Sequence, residues 1–344
     1  MAISEEKARI ARRMRDLENK STQQIADEMG VSHQTINRYL REIKVHVPDK
    51  DAKILLFDVE TAPMEIWAWA IRDQFIQHFQ IKEEWFVLSW AAKWLFVDGT
   101  MSDCVTPAEA LAKDDTRILK GIHDLFEQAN IVVAHNAVRF DIRKLNYRFI
   151  TNGYFKPSPY AVVDTLKQAQ RHFAASSHKL DHLTKTFGLS QKHDTTFALW
   201  ENCVSNKDLM KYVINYLEAP DLKEREICQT ILDEEYWDLT VNIEKHLDYM
   251  LKYNISDVAA LEGLYLFLRP WMTSHPNVAM LMGVVGEACV RCGSKELDWG
   301  IKEYPTPSGS FKACRCMDCG AISRSRSSSL SKAERATSLV SPAR

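Results

Sequence analysis

Apolar runs of strand length alternate along this chain with stretches of helical spacing. Lys53 to Val59 reads KILLFDV, a short buried-strand pattern that Thr61 and Pro63 terminate. Ile131 to Ala134 (IVVA) is a second such run. After His135 and Asn136 the period changes, and Phe140, Leu145 and Phe149 fall on one helical stripe. Leu247, Met250, Leu251, Val258, Leu261, Leu264 and Leu268 keep helical spacing over a longer stretch. Nearer the amino terminus, Thr22 is the expected N-cap of QQIADEMG, Gly30 breaks that helix, and Ser32 caps SHQTINRYL. Ile25, Ala26, Val31, Ile36 and Leu40 would form the small core of this helix-turn-helix pattern. The polar stretch KVHVPDKD (44–51) reads as a linker. Glu218 to Trp237 is charge-rich and helical in pattern. After Ile322 the chain is dominated by serine and arginine without an apolar period, so disorder is expected there.

Three of these stretches carry carboxylates. On a strand, residues i and i+2 share a face, so Asp58 and Glu60 project together while Val59 turns away. A divalent cation makes such crowding favourable, and oxygen-only ligands suit Mg²⁺ or Mn²⁺ better than zinc. The plain alternative is a solvated strand end. Asp141 falls in the first turn of its helix, where an acid is also favoured by the helix dipole. Tyr253 and Asp257, four residues apart, share a helix face; the alternative for them is an exposed pair.

Together, Phe57-Asp58-Val59-Glu60-Thr61, Asn136-Ala-Val-Arg-Phe140-Asp141 and Tyr253-Asn-Ile-Ser-Asp257 resemble the three motifs of the DEDD exonuclease superfamily, in order. They are most similar to its tyrosine-bearing branch: the position where the sister branch has histidine is Lys252. The segments Val162–Gln170 and His178–Leu189 are also similar to ones that precede the third motif in many relatives. The resemblance spans about residues 53–268. It implies an α/β fold of ribonuclease H type, a mixed β-sheet flanked by helices. It also implies a 3′→5′ exonuclease in which Asp58, Glu60, Asp141 and Asp257 hold two Mg²⁺ or Mn²⁺ ions and Tyr253 orients the attacking water. Asn136 and Phe140 would contact the terminal nucleotide or support the site, and Thr61 would lie near the terminal sugar. The stretch between Trp200 and His246 is longer than the resemblance leads one to expect. Trp85, Phe86, Trp90 and Trp94 could stack bases, with burial in the sheet as the plainer role.

Five of eight cysteines lie near the carboxyl terminus. Cys289-Val-Arg-Cys292-Gly293 and Cys316-Met-Asp-Cys319-Gly320 are two knuckles with the spacing of a zinc-ribbon hairpin, expected to hold one structural Zn²⁺. Cys314 lacks the two-residue spacing. Lys302, Lys312, Arg315, Arg324 and Arg326 tilt the ribbon towards a phosphate backbone. If the amino-terminal helices read DNA, the groove-facing residues would be His33, Gln34, Thr35, Asn37 and Arg38; such units also mediate protein contacts.

The expected layout is a helix-turn-helix (1–46), a linker (47–52), an exonuclease domain (53–271), a zinc ribbon (284–322) and a disordered tail (323–344). A hydrophobic content of 46% supports a substantial core, and a net charge of −2 provides no global field for nucleic acid. No apolar run reaches a transmembrane length, so no membrane is expected. The start MAISEEKAR has no apolar signal segment, so a reducing, cytoplasmic setting in a prokaryotic or phage-infected cell is the expectation. The expected partner is nucleic acid, DNA ahead of RNA although no residue reads the 2′-hydroxyl, with a polymerase or replication complex as a further candidate partner. Two alternatives stay open: a recruitment or regulatory factor with an inactive core, and an exonuclease that trims RNA.

Overall fold

The computed structural model describes residues 11, 14, 20–32, 35–36, 52–70, 72, 75–189, 195–205, 223, 225–226, 239–307 and 309–337. By its contacts the chain divides into two compact units. One is Lys53–Tyr265, and the other joins Met1–Ala52 to Leu266–Arg344.

The Lys53–Tyr265 unit is built on strands β1 (Ile54–Thr61), β4 (Val87–Trp94), β5 (Met101–Cys104), β6 (Ile131–Ala134) and β7 (Ala161–Asp164). The strand order is β5-β4-β1-β6-β7. The β5–β4 and β4–β1 pairs are antiparallel, whereas β1–β6 and β6–β7 are parallel. The central strand β1 is thus buried along Ile54–Phe57, as its unbroken apolar run requires. Alternation puts Leu55, Phe57 and Val59 into one core cluster with Ile118, Leu119, Ile122 and Phe126 of helix α3 (Thr116–Gln128). Asp58 and Glu60 take the other face. The rings of Phe57 and Phe126 meet edge to face at 4.9 Å.

A short hairpin, β2 (Glu65–Ile66) with β3 (Ile81–Glu83), interrupts the chain between β1 and β4. Phe86 and Trp90 are buried in the core, which decides against base stacking for these two. The N-cap residue of α3, Asp115, is buried and accepts hydrogen bonds from Val87 N at 2.8 Å, Arg148 Nε at 2.7 Å and Arg148 Nη2 at 2.6 Å. Arg148 belongs to helix α4 (Asp141–Thr151), so one carboxylate ties α3, β4 and α4 together. A 30-residue helix, α8 (Leu239–Leu268), carries the third acidic motif, and its Leu247, Met250 and Tyr253 join the same core.

In the other unit, helix α1 (Thr22–Met29) is capped by Ser21, not Thr22. Gln24 explains the difference: its side chain accepts from Ser21 N at 2.8 Å while Ser21 Oγ accepts from Gln24 N, closing a capping box. Gly30 ends the helix at φ 62°, as expected. Ala11, Met14, Ile25, Ala26 and Ile36 form a small cluster with Met29 and Val31 against it. Leu40, His33, Gln34, Asn37, Arg38 and the linker residues 47–51 lie outside the described residues.

The ribbon is a small sheet of β8 (Leu297–Asp298), β9 (Tyr304–Thr306), β10 (Gly309–Cys316) and β11 (Ile322–Ser328). Strand β11 and helix α10 (Lys332–Thr337) occupy much of the segment expected to be disordered. Composition misleads there because β10 supplies a pairing partner, with Cys314 opposite Ser323 and Ala313 opposite Arg324. The Arg324 guanidinium also covers the Phe311 ring at 4.2 Å. Ser331 and Glu334 then close a capping box at the start of α10, a signal legible in the sequence S-K-A-E.

Candidate functional site

Carboxylate oxygens of Asp58, Glu60 and Asp257 all lie within 4.8 Å of one another. Residues 58 and 60 share a face of β1, and Asp257 comes from the middle of α8. Asp257 and Tyr253 are 3% and 5% exposed, which rules out the exposed-pair alternative. Asp141, the first residue of α4, does not join that 4.8 Å grouping. It lines the same open pocket of about 670 Å³, together with Asp58, Glu60, Asp257, Asn136 and Phe140. Burial pushes the Asp141 carboxyl up to about 7, against the lowering effect of backbone N–H groups from Asp141 itself and Val59. The donor set is entirely carboxylate, which suits a hard divalent cation and offers nothing to a soft one.

Four residues overlooked at the level of sequence complete this pocket. Asn254 Nδ2 donates to Asp58 Oδ2 at 2.6 Å, fixing that carboxylate from the third motif. Trp200 Nε1 donates to Glu60 Oε2 at 3.0 Å, and its ring meets Tyr253 edge to face at 5.9 Å. Tyr253 therefore packs behind Glu60 through Trp200 and is not among the residues lining the pocket. Asp164, buried at the end of β7, accepts from the backbone N–H groups of Asn136 and Val138 at 3.1 and 3.2 Å. It thereby holds the turn after β6, in which Asn136 adopts φ 77°. An asparagine tolerates that left-handed conformation better than most residues. Asp181 adds a fifth carboxylate to the pocket wall. Asn254 stands inside the third motif, and Asp164 and Asp181 stand inside the two segments noted for their resemblance, although none of the three was singled out; Trp200 had no local signature. Thr61 follows the register shift at the end of β1 and does not line the pocket.

The second cluster is all sulfur. Ligand atoms of Cys289, Cys292, Cys316 and Cys319 lie within 4.8 Å of one another. The Sγ separations are 3.5 Å for Cys289–Cys319 and 3.6 Å for Cys292–Cys316. These are far beyond a disulfide bond of about 2.05 Å. They are close to the edge, about 3.8 Å, of a tetrahedron whose metal–sulfur bonds are about 2.3 Å. Each knuckle closes alike: Gly293 N donates to Cys289 O and Gly320 N to Cys316 O, both at 2.8 Å. Both glycines have positive φ, 78° and 75°, which is why glycine follows the second cysteine. A hydrogen bond from Cys292 pulls the Cys289 thiol down to about 7. Cys314 is buried but stands outside the cluster. The cluster is compatible with a zinc ribbon. Thr35 is in a helical turn where its N–H bonds to Ser32 Oγ at 3.2 Å.

A family model described as RNase_H superfamily matches residues 95–223. The sheet order, the mixed strand directions and the flanking helices make this an α/β fold of RNase H-like type. The family match supports a nuclease of that fold. Among solved structures, the family B DNA polymerase from the hyperthermophilic archaeon Pyrobaculum calidifontis is similar at 16% identity and a TM-score of 0.32. That alignment covers 78% of this chain and 32% of the polymerase, so the chain spans about a third of that protein's length. With so low a score the likeness transfers neither residues nor activity. A search of curated protein sequences found no match. Among the described residues no helix is long and apolar enough to cross a membrane.

Proposed function

We propose that this chain is a metal-dependent 3′→5′ exonuclease that trims single-stranded or frayed ends, DNA ahead of RNA. The convergence of Asp58, Glu60 and Asp257 oxygens within 4.8 Å, in a pocket that Asp141 also lines, carries this reading. In it, the four carboxylates hold two Mg²⁺ or Mn²⁺ ions. Bound there, such ions lower the pKa of water and neutralise charge on the phosphodiester. The protein's own contribution is orientation. Asn254 fixes Asp58, Trp200 fixes Glu60, and Asp164 shapes the Asn136 turn so that Asn136 and Phe140 face the terminal nucleotide. Tyr253, buried against Trp200 behind Glu60, is the residue to which this reading gives the orientation of the attacking water.

The four ribbon cysteines bind one structural Zn²⁺ in this reading, and the ribbon's cations hold the phosphate backbone. By the sequence pattern, His33, Gln34, Thr35, Asn37 and Arg38 would face DNA, and this reading gives the amino-terminal segment the delivery of the enzyme to DNA or to a replication complex.

The deciding assay uses purified full-length protein with Mg²⁺ or Mn²⁺ on end-labelled single-stranded DNA, duplex DNA and RNA. Ladders that shorten from the 3′ end, absent for Asp58→Asn and Asp257→Asn, are expected. Intact substrates with wild-type protein, or unimpaired cutting by either variant, would end this reading. Metal analysis should return one zinc per chain, lost in Cys316→Ser; a full zinc content in that variant would remove the cluster from consideration.

A further inference from the structure

One side of α4 leads away from the acidic pocket and carries chemistry that the carboxylate site does not use. Phe140 is at the pocket edge and is 38% exposed. One turn further, Lys144 places Nζ 3.5 Å from the centre of the Trp85 ring and 5.4 Å from that of Phe140. Tyr147 follows, 45% exposed, its ring centre 5.5 Å from that of Trp85. Positions 140, 144 and 147 share one helix face. Arg139 and Arg143 are exposed on the same segment. Among the described residues Lys144 forms no ion pair within 4 Å, although the Glu84 carboxylate acts on its charge from further off.

A packing role does not account for this strip. Phe149 and Leu145 of the helix enter the core, while Phe140 at its N-cap and Tyr147 stay 38% and 45% exposed on either side of a cation. Aromatic faces interleaved with Lys and Arg are what a single strand needs: bases stack on rings, and phosphates meet cations. From Phe140 to Tyr147 the strip is about 10 Å long at 1.5 Å per helical residue. That length admits about three bases stacked at 3.4 Å. A duplex presents no unstacked bases to such rings.

We propose that Trp85, Phe140, Lys144 and Tyr147 form a stacking track that seats the single strand upstream of the terminal nucleotide, with Arg139 and Arg143 along its phosphates. This rests on the nuclease reading of the neighbouring pocket and names the form of substrate that pocket receives.

The test uses the full chain in EDTA, where no metal-dependent cleavage occurs. Fluorescence anisotropy measures its affinity for labelled oligothymidylate and oligouridylate of about twelve nucleotides, within the usual span of single-strand sites. Tyr147→Ala and Lys144→Glu should each weaken binding about tenfold, the scale of one lost stacking or charge contact. Lys144→Arg should restore most of the affinity. Lys144→Ala should make the slope of log affinity against log salt shallower by about 0.7, the value for one phosphate contact on a single strand. Both oligomers are used because rings and cations serve either sugar. With Mn²⁺, the ratio of kcat/KM on the twelve-mer to that on a dinucleotide should fall about tenfold in Tyr147→Ala. Unchanged affinity for both oligomers in correctly melting variants overturns the track, and so does an equal loss on twelve-mer and dinucleotide. Should wild-type protein cut nothing, the nuclease reading fails by itself, while the anisotropy series in EDTA still decides the track.

Discussion

Replacing Asp58 by asparagine should stabilise the metal-free protein and remove its response to metal. Three carboxylates whose oxygens all lie within 4.8 Å repel one another. At an effective dielectric constant near 20, a like-charge pair at that distance costs about 3.5 kcal/mol. Asp58→Asn deletes two of the three pairs, for about 7 kcal/mol at that separation. Two effects reduce that figure. Asp58 and Glu60 are only half-buried, so solvent screens them. Protonating one carboxylate at neutral pH costs only about 4 kcal/mol, which caps the relief. The substitution keeps a side-chain oxygen where Asp58 Oδ2 accepts from Asn254, so that hydrogen bond survives. A net gain of about 1–3 kcal/mol follows, and for a unit of this size that raises Tm by roughly 2–10 °C. Wild-type protein at a Mn²⁺ concentration of about a hundred times Kd gains about 2.7 kcal/mol, whereas the variant should gain little. Calorimetry of both proteins in EDTA and in Mn²⁺ measures all four values. A variant that melts below wild type in EDTA, or one with an undiminished Mn²⁺ shift, would refute the idea that these carboxylates are held together for a cation.

Four further outcomes are expected. Because Asp141 titrates near 7 in the folded state and near 4 when unfolded, the folded state holds the extra proton between those values. Metal-free stability should therefore fall as pH rises from about 4 to 7, and calorimetry of Asp141→Asn should show a flatter dependence. Gly121→Ala should destabilise by about 1–2 kcal/mol in chemical denaturation: a Cβ there would meet Trp90 Cζ2 at 2.6 Å, and overpacking outweighs the helix preference for alanine. The Trp90 ring cannot easily yield, since its Nε1 donates to Ile118 O at 2.7 Å. Asp115→Ala should cost about 3–5 kcal/mol in the same measurement, because Arg148 and Val87 N both lose a buried partner; a cost below 1 kcal/mol would contradict the role given to that carboxylate. Tyr253→Phe should slow turnover by roughly ten- to a thousandfold with near-unchanged Mn²⁺ affinity, whereas full activity would deny the phenol any part in catalysis.

Local rules account for much of this molecule. Period-two geometry alone puts Asp58 and Glu60 on one side of β1, and the structure keeps them on one pocket. The change from an apolar run to helical spacing marks the β6-to-α4 junction, where Asp141 begins the helix. Two CxxCG knuckles announce the sulfur cluster, since glycine at positive φ is the local requirement of each turn. What local rules could not supply is whatever depends on partners distant in the chain. Trp200 lies 140 residues from the Glu60 it bonds, and Asn254 lies 196 residues from Asp58. Asp164 looks like an ordinary helix cap until the fold brings the Asn136 turn against it. The same reason explains β11. Its serine-and-arginine sequence has no strand signal of its own, and it becomes a strand because β10 presents an unpaired edge. Sequence determines the backbone habits and the chemical types available at each site. Only the tertiary structure decides which of those groups meet, because pairing and desolvation energies arise between segments that share no local pattern.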